Sequence, residues 1–130
     1  MKNTRSDWDM WADVAALVVW LNRTNPVDDH ELTLRIAKIS EEAGEAIAAR
    51  IGMLGQNPRK GITHDTADLA GELCDVIVTA GVALTTLLGD ANAARGFLAA
   101  KLGQIRDRAA QVQAQNADGW RPLAQSGGAA

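Results

Sequence analysis

Aromatic rings and thiols are scarce in this chain of 130 residues. It has one cysteine, one phenylalanine, four tryptophans and no tyrosine, although 47% of its residues are hydrophobic. The single cysteine, Cys74, excludes an internal disulfide framework and fits a reducing compartment. With so few rings, the core must be filled by Ala, Leu, Ile and Val, which suits closely packed helices better than a sandwich of strands.

A strong excess of either charge is also lacking. The chain carries 13 basic and 16 acidic residues, which gives a net charge of −3. A general nucleic-acid binder normally has a marked basic excess, so this balance argues against one. No segment has the pattern of a signal peptide, and the longest apolar stretch, Val76 to Leu88, is too short to cross about 30 Å of hydrocarbon. We therefore expect a cytoplasmic protein without a membrane partner.

Apolar spacing and capping residues predict four helices and no strand. The predicted helices cover about 8–23, 28 or 29 to 51, 65 or 66 to 88, and 90–113. Ser6 and Asp90 are the expected N-caps of the first and last helices, and Gly52 or Gly55 and then Gly89 are the expected stops. These elements predict an all-α four-helix bundle in a single domain, 1–114. The remaining residues, 115–130, lose periodicity and are expected to form a flexible C-terminal tail.

The first and third helices are more apolar than a surface helix needs to be. Residues 15–21 are apolar on every side of the first helix, and the second half of the third helix is apolar nearly all round. A surface helix needs one apolar stripe only, so these faces predict a homo-oligomer, a dimer or a tetramer. On the second helix the expected buried stripe is narrower, and it consists of Leu32, Ile36, Ile39, Ala43, Ala46, Ile47 and Ile51.

Five carboxylates stand out in the middle of the second and third helices. Glu41, Glu42 and Glu45 share one sector of the second helix, and Glu72 and Asp75 form an i, i+3 pair on the third. Asp75 has apolar neighbours on both sides in the sequence, so we expect it to be buried. A buried carboxylate costs several kcal/mol unless it is protonated or finds a cation. Because a short loop makes the two helices antiparallel, the five acids should converge and require a counter-ion.

The chemistry of that counter-ion follows from the donor atoms. Ligation by oxygen alone selects a hard cation, and Mg²⁺ suits a site shared between carboxylates and phosphate oxygens. A di-iron bundle needs Glu-x-x-His pairs, but His30 and His64 lie at or beyond helix ends. Zinc is unpromising with one cysteine and no paired histidines.

The acidic pattern resembles a known signature. Glu42-x-x-Glu45 followed by Glu72-x-x-Asp75, set in EEAGEA and ELCDV, is similar to the motif of the MazG-like, all-α nucleoside triphosphate pyrophosphohydrolases. The resemblance implies that these four acids bind Mg²⁺, with Mn²⁺ as a possible substitute. It implies that Glu41 is the catalytic residue that positions or deprotonates water. The expected reaction hydrolyses a (deoxy)nucleoside triphosphate to the monophosphate and pyrophosphate.

Basic side chains are needed to complement a triphosphate. Lys101 and Arg108 on the fourth helix are candidates, and the resemblance favours a basic contribution from that helix, with Lys101 first. Lys38 lies one turn before Glu42 and could pair with that acid or touch phosphate.

A base needs a flat partner or a polar clamp. Trp8, Trp11 and Trp20 on the first helix are the rings placed to stack on one, and we take Trp20 as the candidate. Asn22 or Asn92 could bond a base or a sugar. Which base or sugar is preferred does not follow from the sequence.

Two other functions remain open. The chain could be a non-catalytic helical assembly or nucleotide-binding module that retains the fold. It could also hydrolyse a related diphosphate-containing metabolite, such as a phosphoribosyl-nucleotide intermediate of histidine synthesis. Metal-dependent nucleotide binding separates the enzyme from the module.

Overall fold

The computed structural model describes residues 8–119, and within that range the chain is helical with no strand. This confirms the predicted all-α class and the four predicted helices. The first helix is capped by Asp9, so the expectation of Ser6 as its N-cap is wrong; Ser6 itself lies outside the described residues. The four helices are α1 Met10–Thr24, α2 Asp29–Leu54, α3 Thr66–Leu88 and α4 Ala91–Gly119.

Aspartates begin the helices and glycines end two of them. Each helix follows an aspartate whose side chain accepts a hydrogen bond from a backbone N–H of the first turn, which satisfies a donor that has no intrahelical partner. These aspartates are Asp9, Asp28, Asp65 and Asp90. Gly55 ends α2 with φ 60° and Gly89 ends α3 with φ 76°, a left-handed conformation that side chains with a Cβ disfavour.

The third helix is the centre of the first part of the chain, because both α1 and α2 pack against it. Val14 and Val18 of α1 and Val82 of α3 form the buried apolar cluster. Gly81 allows this close approach: a Cβ placed there would lie 3.3 Å from the Met10 Cε atom. The core is therefore small and aliphatic, as the scarcity of rings predicts.

The second helix buries a different face from the one predicted. Its buried residues recur at intervals of seven, four and three, and they are Arg35, Glu42, Ala46 and Ala49. Three members of the predicted stripe are exposed instead, namely Ile36, Ile47 and Ile51. Small alanines on the buried face of α2 let it approach α3 closely, and the larger isoleucines lie on either side of that face. The prediction of this stripe was therefore wrong for these three residues.

The two long helices α2 and α3 run antiparallel. Arg35 near the start of α2 bonds Thr86 near the end of α3, whereas Glu42 and Glu45 further along α2 lie beside Glu72 near the start of α3. Residue numbers thus rise on one helix as they fall on the other. This confirms the arrangement expected from the short connecting loop.

The apolar character of α3 was underestimated. By length and composition Thr66–Leu88 could cross a membrane, so the expectation that no segment reaches the required length is wrong. The apolar part of this helix extends beyond the shorter run from Val76, because its acidic residues, Asp68, Glu72 and Asp75, do not lower the mean hydropathy enough. This is weak evidence of a span, since the core helix of a soluble protein can be equally long and apolar. Only 22% of its most apolar stretch of 18 residues is buried, however, which leaves much of the helix uncovered. The cytoplasmic location stays a prediction.

The chain divides into two compact units between Arg95 and Gly96, inside α4. In the second unit α4 continues to Gly119, six residues beyond the expected end at Gln113. Residues 114–118 contain neither glycine nor proline, so nothing in their sequence stops the helix before Gly119. The first part of the predicted tail is thus helical, and residues 120–130 lie outside the described range. The single domain over 1–114 stays a prediction.

Candidate metal centre and adjoining cavity

Three glutamates from α2 and α3 meet in an acidic cluster. Glu42, Glu45 and Glu72 each offer a carboxylate oxygen, and these three oxygens lie within 4.8 Å of one another. The i, i+3 spacing places the first two on one sector of α2, and the antiparallel packing brings Glu72 opposite them. Glu42 is 9% exposed and Glu72 is half-buried, while Glu45 faces solvent.

Charge repulsion within the acidic cluster raises the pKa of one member, Glu45. The Glu42 carboxylate, followed by desolvation and the Glu72 carboxylate, raises the pKa of Glu45 above its usual range. An acid whose pKa rises in this way lies where negative charge is poorly compensated. The cluster therefore favours the arrival of a cation.

One lysine partly balances this charge. Lys38 Nζ lies 2.9 Å from Glu41 Oε2 and 3.1 Å from Glu42 Oε1. Its hydrogen bonds to Glu41, then to Glu42, raise the pKa of Lys38 above its usual range, so the amine stays protonated. The sequence left open whether Lys38 pairs with an acid or touches phosphate, and in this structure it pairs with two acids.

The burial expected for Asp75 is wrong. Asp75 is exposed, and it is not among the three residues of the acidic cluster. Its neighbours Leu73 and Ile77, which the sequence suggested were core residues, are also exposed. This part of α3 therefore carries apolar side chains that no other described segment covers, and the aspartate shares that open face. Its proposed role as a ligand stays a prediction.

A cavity of about 440 Å³ opens beside the acidic cluster between α1, α2 and α3. Trp20 and Leu17 of α1, Leu34 of α2 and Val78 of α3 give it apolar walls. Lys38 lines the same cavity while it bonds Glu42. Two of the residues predicted to bind substrate, Trp20 and Lys38, are thus brought together.

Arg35 is the most deeply buried of the polar residues that line this cavity, and the sequence did not indicate a role for it. It is 6% exposed, and its Nε donates to Glu31 Oε1 at 2.9 Å. Its Nη1 donates to Asn22 Oδ1 and to Thr86 Oγ1, both at 2.9 Å. Its Nη2 is buried with no hydrogen-bond partner. Two features of the sequence could have indicated this burial. Arg35 follows Glu31 at the i, i+4 spacing of an ion pair, and it lies seven residues before Glu42, on the same buried face of α2.

The other residues predicted to bind substrate do not line this cavity. Lys101 and Arg108 lie on the stretch of α4 that belongs to the second unit, so their role at the cluster stays a prediction. Trp11 packs against the apolar core instead of standing free to stack. Trp8 is exposed, and its Nε1 donates to Asp13 Oδ2 at 3.1 Å.

The donor set fits a hard divalent cation. Carboxylate oxygens are the ligands that Mg²⁺ prefers in proteins, and no histidine or cysteine joins the acidic cluster in the described residues. Comparison of the chain with protein-family models, with curated proteins and with solved structures gives no match. The MazG-like resemblance therefore stays a prediction, carried by residues of α2 and α3.

Proposed function

We propose that the chain is a Mg²⁺-dependent nucleoside triphosphate pyrophosphohydrolase of the MazG-like type. One observation carries this proposal: the acids of the two sequence motifs, separated by 26 residues, converge as Glu42, Glu45 and Glu72 with oxygens within 4.8 Å. The reaction adds water to a nucleotide and yields the monophosphate and pyrophosphate.

Residues of both helices hold the metal in this proposal. Glu42, Glu45 and Glu72 are the ligands that the geometry supports, and Asp75, one turn along α3 from Glu72, is the fourth by resemblance. A bound Mg²⁺, or Mn²⁺ in its place, neutralises phosphate charge and lowers the pKa of water. The raised pKa of Glu45 supports this assignment, because a nearby cation would relieve the repulsion that causes it.

The remaining residues bind the substrate and move the proton. Glu41 is exposed and adjacent to the cluster, so it can reach a water molecule and accept its proton. Glu41 is held by Lys38, and the lysine would have to turn away before the carboxylate is free to act as a base. A lysine released in this way is well placed to contact phosphate. Lys101 and Arg108 are the basic residues proposed from the fourth helix.

We infer that the working form is a homo-oligomer. Leu73 and Ile77 expose about half of their surface on α3, and Leu17 and Val19 of α1 are exposed as well. An apolar helix that is mostly uncovered is better explained by a second copy than by water. Light scattering after size exclusion should give a dimer or a tetramer, and Ile77→Asp should shift it toward the monomer. A wild-type monomer at all concentrations would contradict this inference.

Pyrophosphate release from a panel of nucleoside and deoxynucleoside triphosphates tests the enzymatic proposal. With Mg²⁺ or Mn²⁺, at least one substrate should be hydrolysed, and Glu42→Gln and Glu72→Gln should each lower kcat/KM at least about a hundredfold. Asp107→Asn is the matched control, since it removes an exposed carboxylate of α4 and should change little. Asp75→Asn reports on the fourth ligand through the Mg²⁺ affinity.

Other outcomes of the same experiment favour the alternatives. Metal-dependent nucleotide binding by calorimetry with no pyrophosphate released would indicate a binding module. Turnover confined to a phosphoribosyl-nucleotide diphosphate would indicate the related-metabolite enzyme. The absence of both turnover and metal binding would contradict the proposal outright.

A further inference from the structure

The cavity beside the acidic cluster has the shape and chemistry of a site for a flat ring. Its volume of about 440 Å³ lies within the range of about 300–1,000 Å³ typical of small-molecule sites. Leu17, Leu34 and Val78 give it apolar walls, and Trp20, 60% exposed, adds an indole face that packing does not use. Aromatic side chains placed in this way stack on bases with little regard to base identity.

Among the polar residues that line the cavity, Arg35 has a hydrogen-bond donor without an acceptor. Arg35 Nη2 carries two N–H donors, and it is buried without a partner. A buried donor without an acceptor is destabilising, so a ligand that places an acceptor at Nη2 gains binding free energy. The rest of the guanidinium is fixed by Glu31, Asn22 and Thr86, which leaves Nη2 as its unoccupied end.

The charge around Arg35 selects the kind of acceptor. Glu31 already pairs with the guanidinium at 2.9 Å, so the two charges balance each other within the cavity. A phosphate or carboxylate placed at Nη2 would bring an additional negative charge next to Glu31. A neutral oxygen with two lone pairs, such as a carbonyl, satisfies the donors without that cost.

We propose that this cavity binds the base of the nucleotide and that Arg35 Nη2 donates to an exocyclic carbonyl oxygen of that base. Bases that carry such a carbonyl are therefore bound more tightly than adenine, which has none. This inference rests on the proposed function and names the substrate class of the same site. Arg35 is then the residue that determines specificity, and Trp20 supplies the stacking surface.

Lys38 connects this cavity to the acidic cluster. Lys38 lines the cavity and bonds Glu42 of the acidic cluster at 3.1 Å, so a nucleotide with its base in the cavity has its phosphates directed toward the cluster. Nη2 has no exposed surface in this structure, so the proposal requires a wall residue to move aside before a carbonyl reaches it. Trp20 and Leu34, both at least half exposed, are the wall residues that packing restrains least.

Binding of nucleoside monophosphates to the metal-free full chain tests the inference without requiring turnover. The probes are dGMP, dCMP, dUMP and dAMP in the presence of a chelator, followed by the indole N–H signals of the ¹⁵N-labelled protein. The Trp20 signal, assigned by its loss in Trp20→Phe, should shift saturably. The Trp8 signal is the internal control, because this ring is equally exposed but lies outside the cavity. The Kd for dAMP should be about tenfold higher than for the other three.

Substitutions distinguish the role of Arg35 from that of Trp20. Arg35→Lys keeps the charge but removes the planar fork, and it should bring the four dissociation constants within about threefold of each other. Should that variant fail to fold by circular dichroism, Trp20→Ala and Trp8→Ala decide, since both rings are exposed. The first should weaken binding of all four probes about tenfold and the second should not.

The results distinguish this inference from the proposed enzyme. Equal affinity for dAMP, or an unshifted Trp20 signal, overturns the inference even where triphosphates are hydrolysed. Selective binding in the cavity without any hydrolysis supports the inference and contradicts the enzymatic proposal.

Discussion

Removing a charge from the acidic cluster should stabilise the metal-free protein. Glu72 has its carboxylate oxygen within 4.8 Å of that of Glu42, a distance at which two like charges repel by about 0.9 kcal/mol in water and about 3.5 kcal/mol at an effective dielectric of 20. Glu72 is half-buried, so solvent screening brings the expected gain toward the lower value, about 1 kcal/mol. For a chain of this size, Glu72→Gln should raise the melting temperature by about 3–5 °C in a chelator.

Magnesium should reverse the order of the two melting temperatures, so that the wild type melts above Glu72→Gln. A cation bound to the native state alone, at a hundredfold excess over its Kd, stabilises by about 2.7 kcal/mol. The wild type should therefore gain several degrees on addition of Mg²⁺, while Glu72→Gln gains much less because it has lost a ligand. Scanning calorimetry with chelator and then with Mg²⁺ measures both effects, with Asp107→Asn as the control for an equal change of net charge. The reasoning is refuted if Glu72→Gln melts lower than the wild type in chelator, or if Mg²⁺ stabilises both proteins equally.

Three further predictions concern the core and the protonation of the cluster. Val14→Ala should lower the free energy of unfolding by about 2 kcal/mol in chemical denaturation, because Val14 is buried, whereas the exposed Val19→Ala should cost under about 0.5 kcal/mol. Gly81→Val should cost about 1–3 kcal/mol, since a Cβ alone would already lie 3.3 Å from Met10 Cε; a wild-type melting temperature would contradict the observed helix contact. The pKa of Glu45 is raised above its ordinary 4.5, so its contribution to the stability of the metal-free protein is full below 4.5 and is lost as pH rises through the raised pKa. Thermal scans across that window should show the fall in the wild type and not in Glu45→Gln.

Local signals in the sequence were sufficient for the helices and for most of their ends. The aspartates at 28, 65 and 90 and the glycines at 55 and 89 act within one turn of where they stand, so their effects can be predicted without knowing the fold. Three of the five acids expected to converge do so, for a related reason: i, i+3 spacing fixes a shared sector for Glu42 and Glu45, and a short loop fixes the antiparallel direction that brings Glu72 opposite them. The end of α4 was missed because weak periodicity does not by itself stop a helix.

Burial could not be predicted in the same way. Arg35 lies on the buried face of α2 and Ile47 is exposed, although hydrophobicity alone suggests the opposite. Asp75 was expected to be buried because its neighbours are apolar, but those neighbours are themselves uncovered. Which face of a helix is buried depends on where the partner helix lies, and that depends on small residues that allow close approach.

The sequence by itself thus determined the all-α class, most of the helix caps and the shared sector of Glu42 and Glu45 on α2, because each depends on short-range backbone geometry. The tertiary structure alone decided that Trp20 and Lys38 share a cavity, that Arg35 has an unpartnered Nη2 there, and that Asp75 stands apart from the three glutamates. Those contacts join residues from different helices, across as many as 51 positions between Arg35 and Thr86. They are set by the rotation and closeness of packed helices, which a pattern along a single helix does not contain.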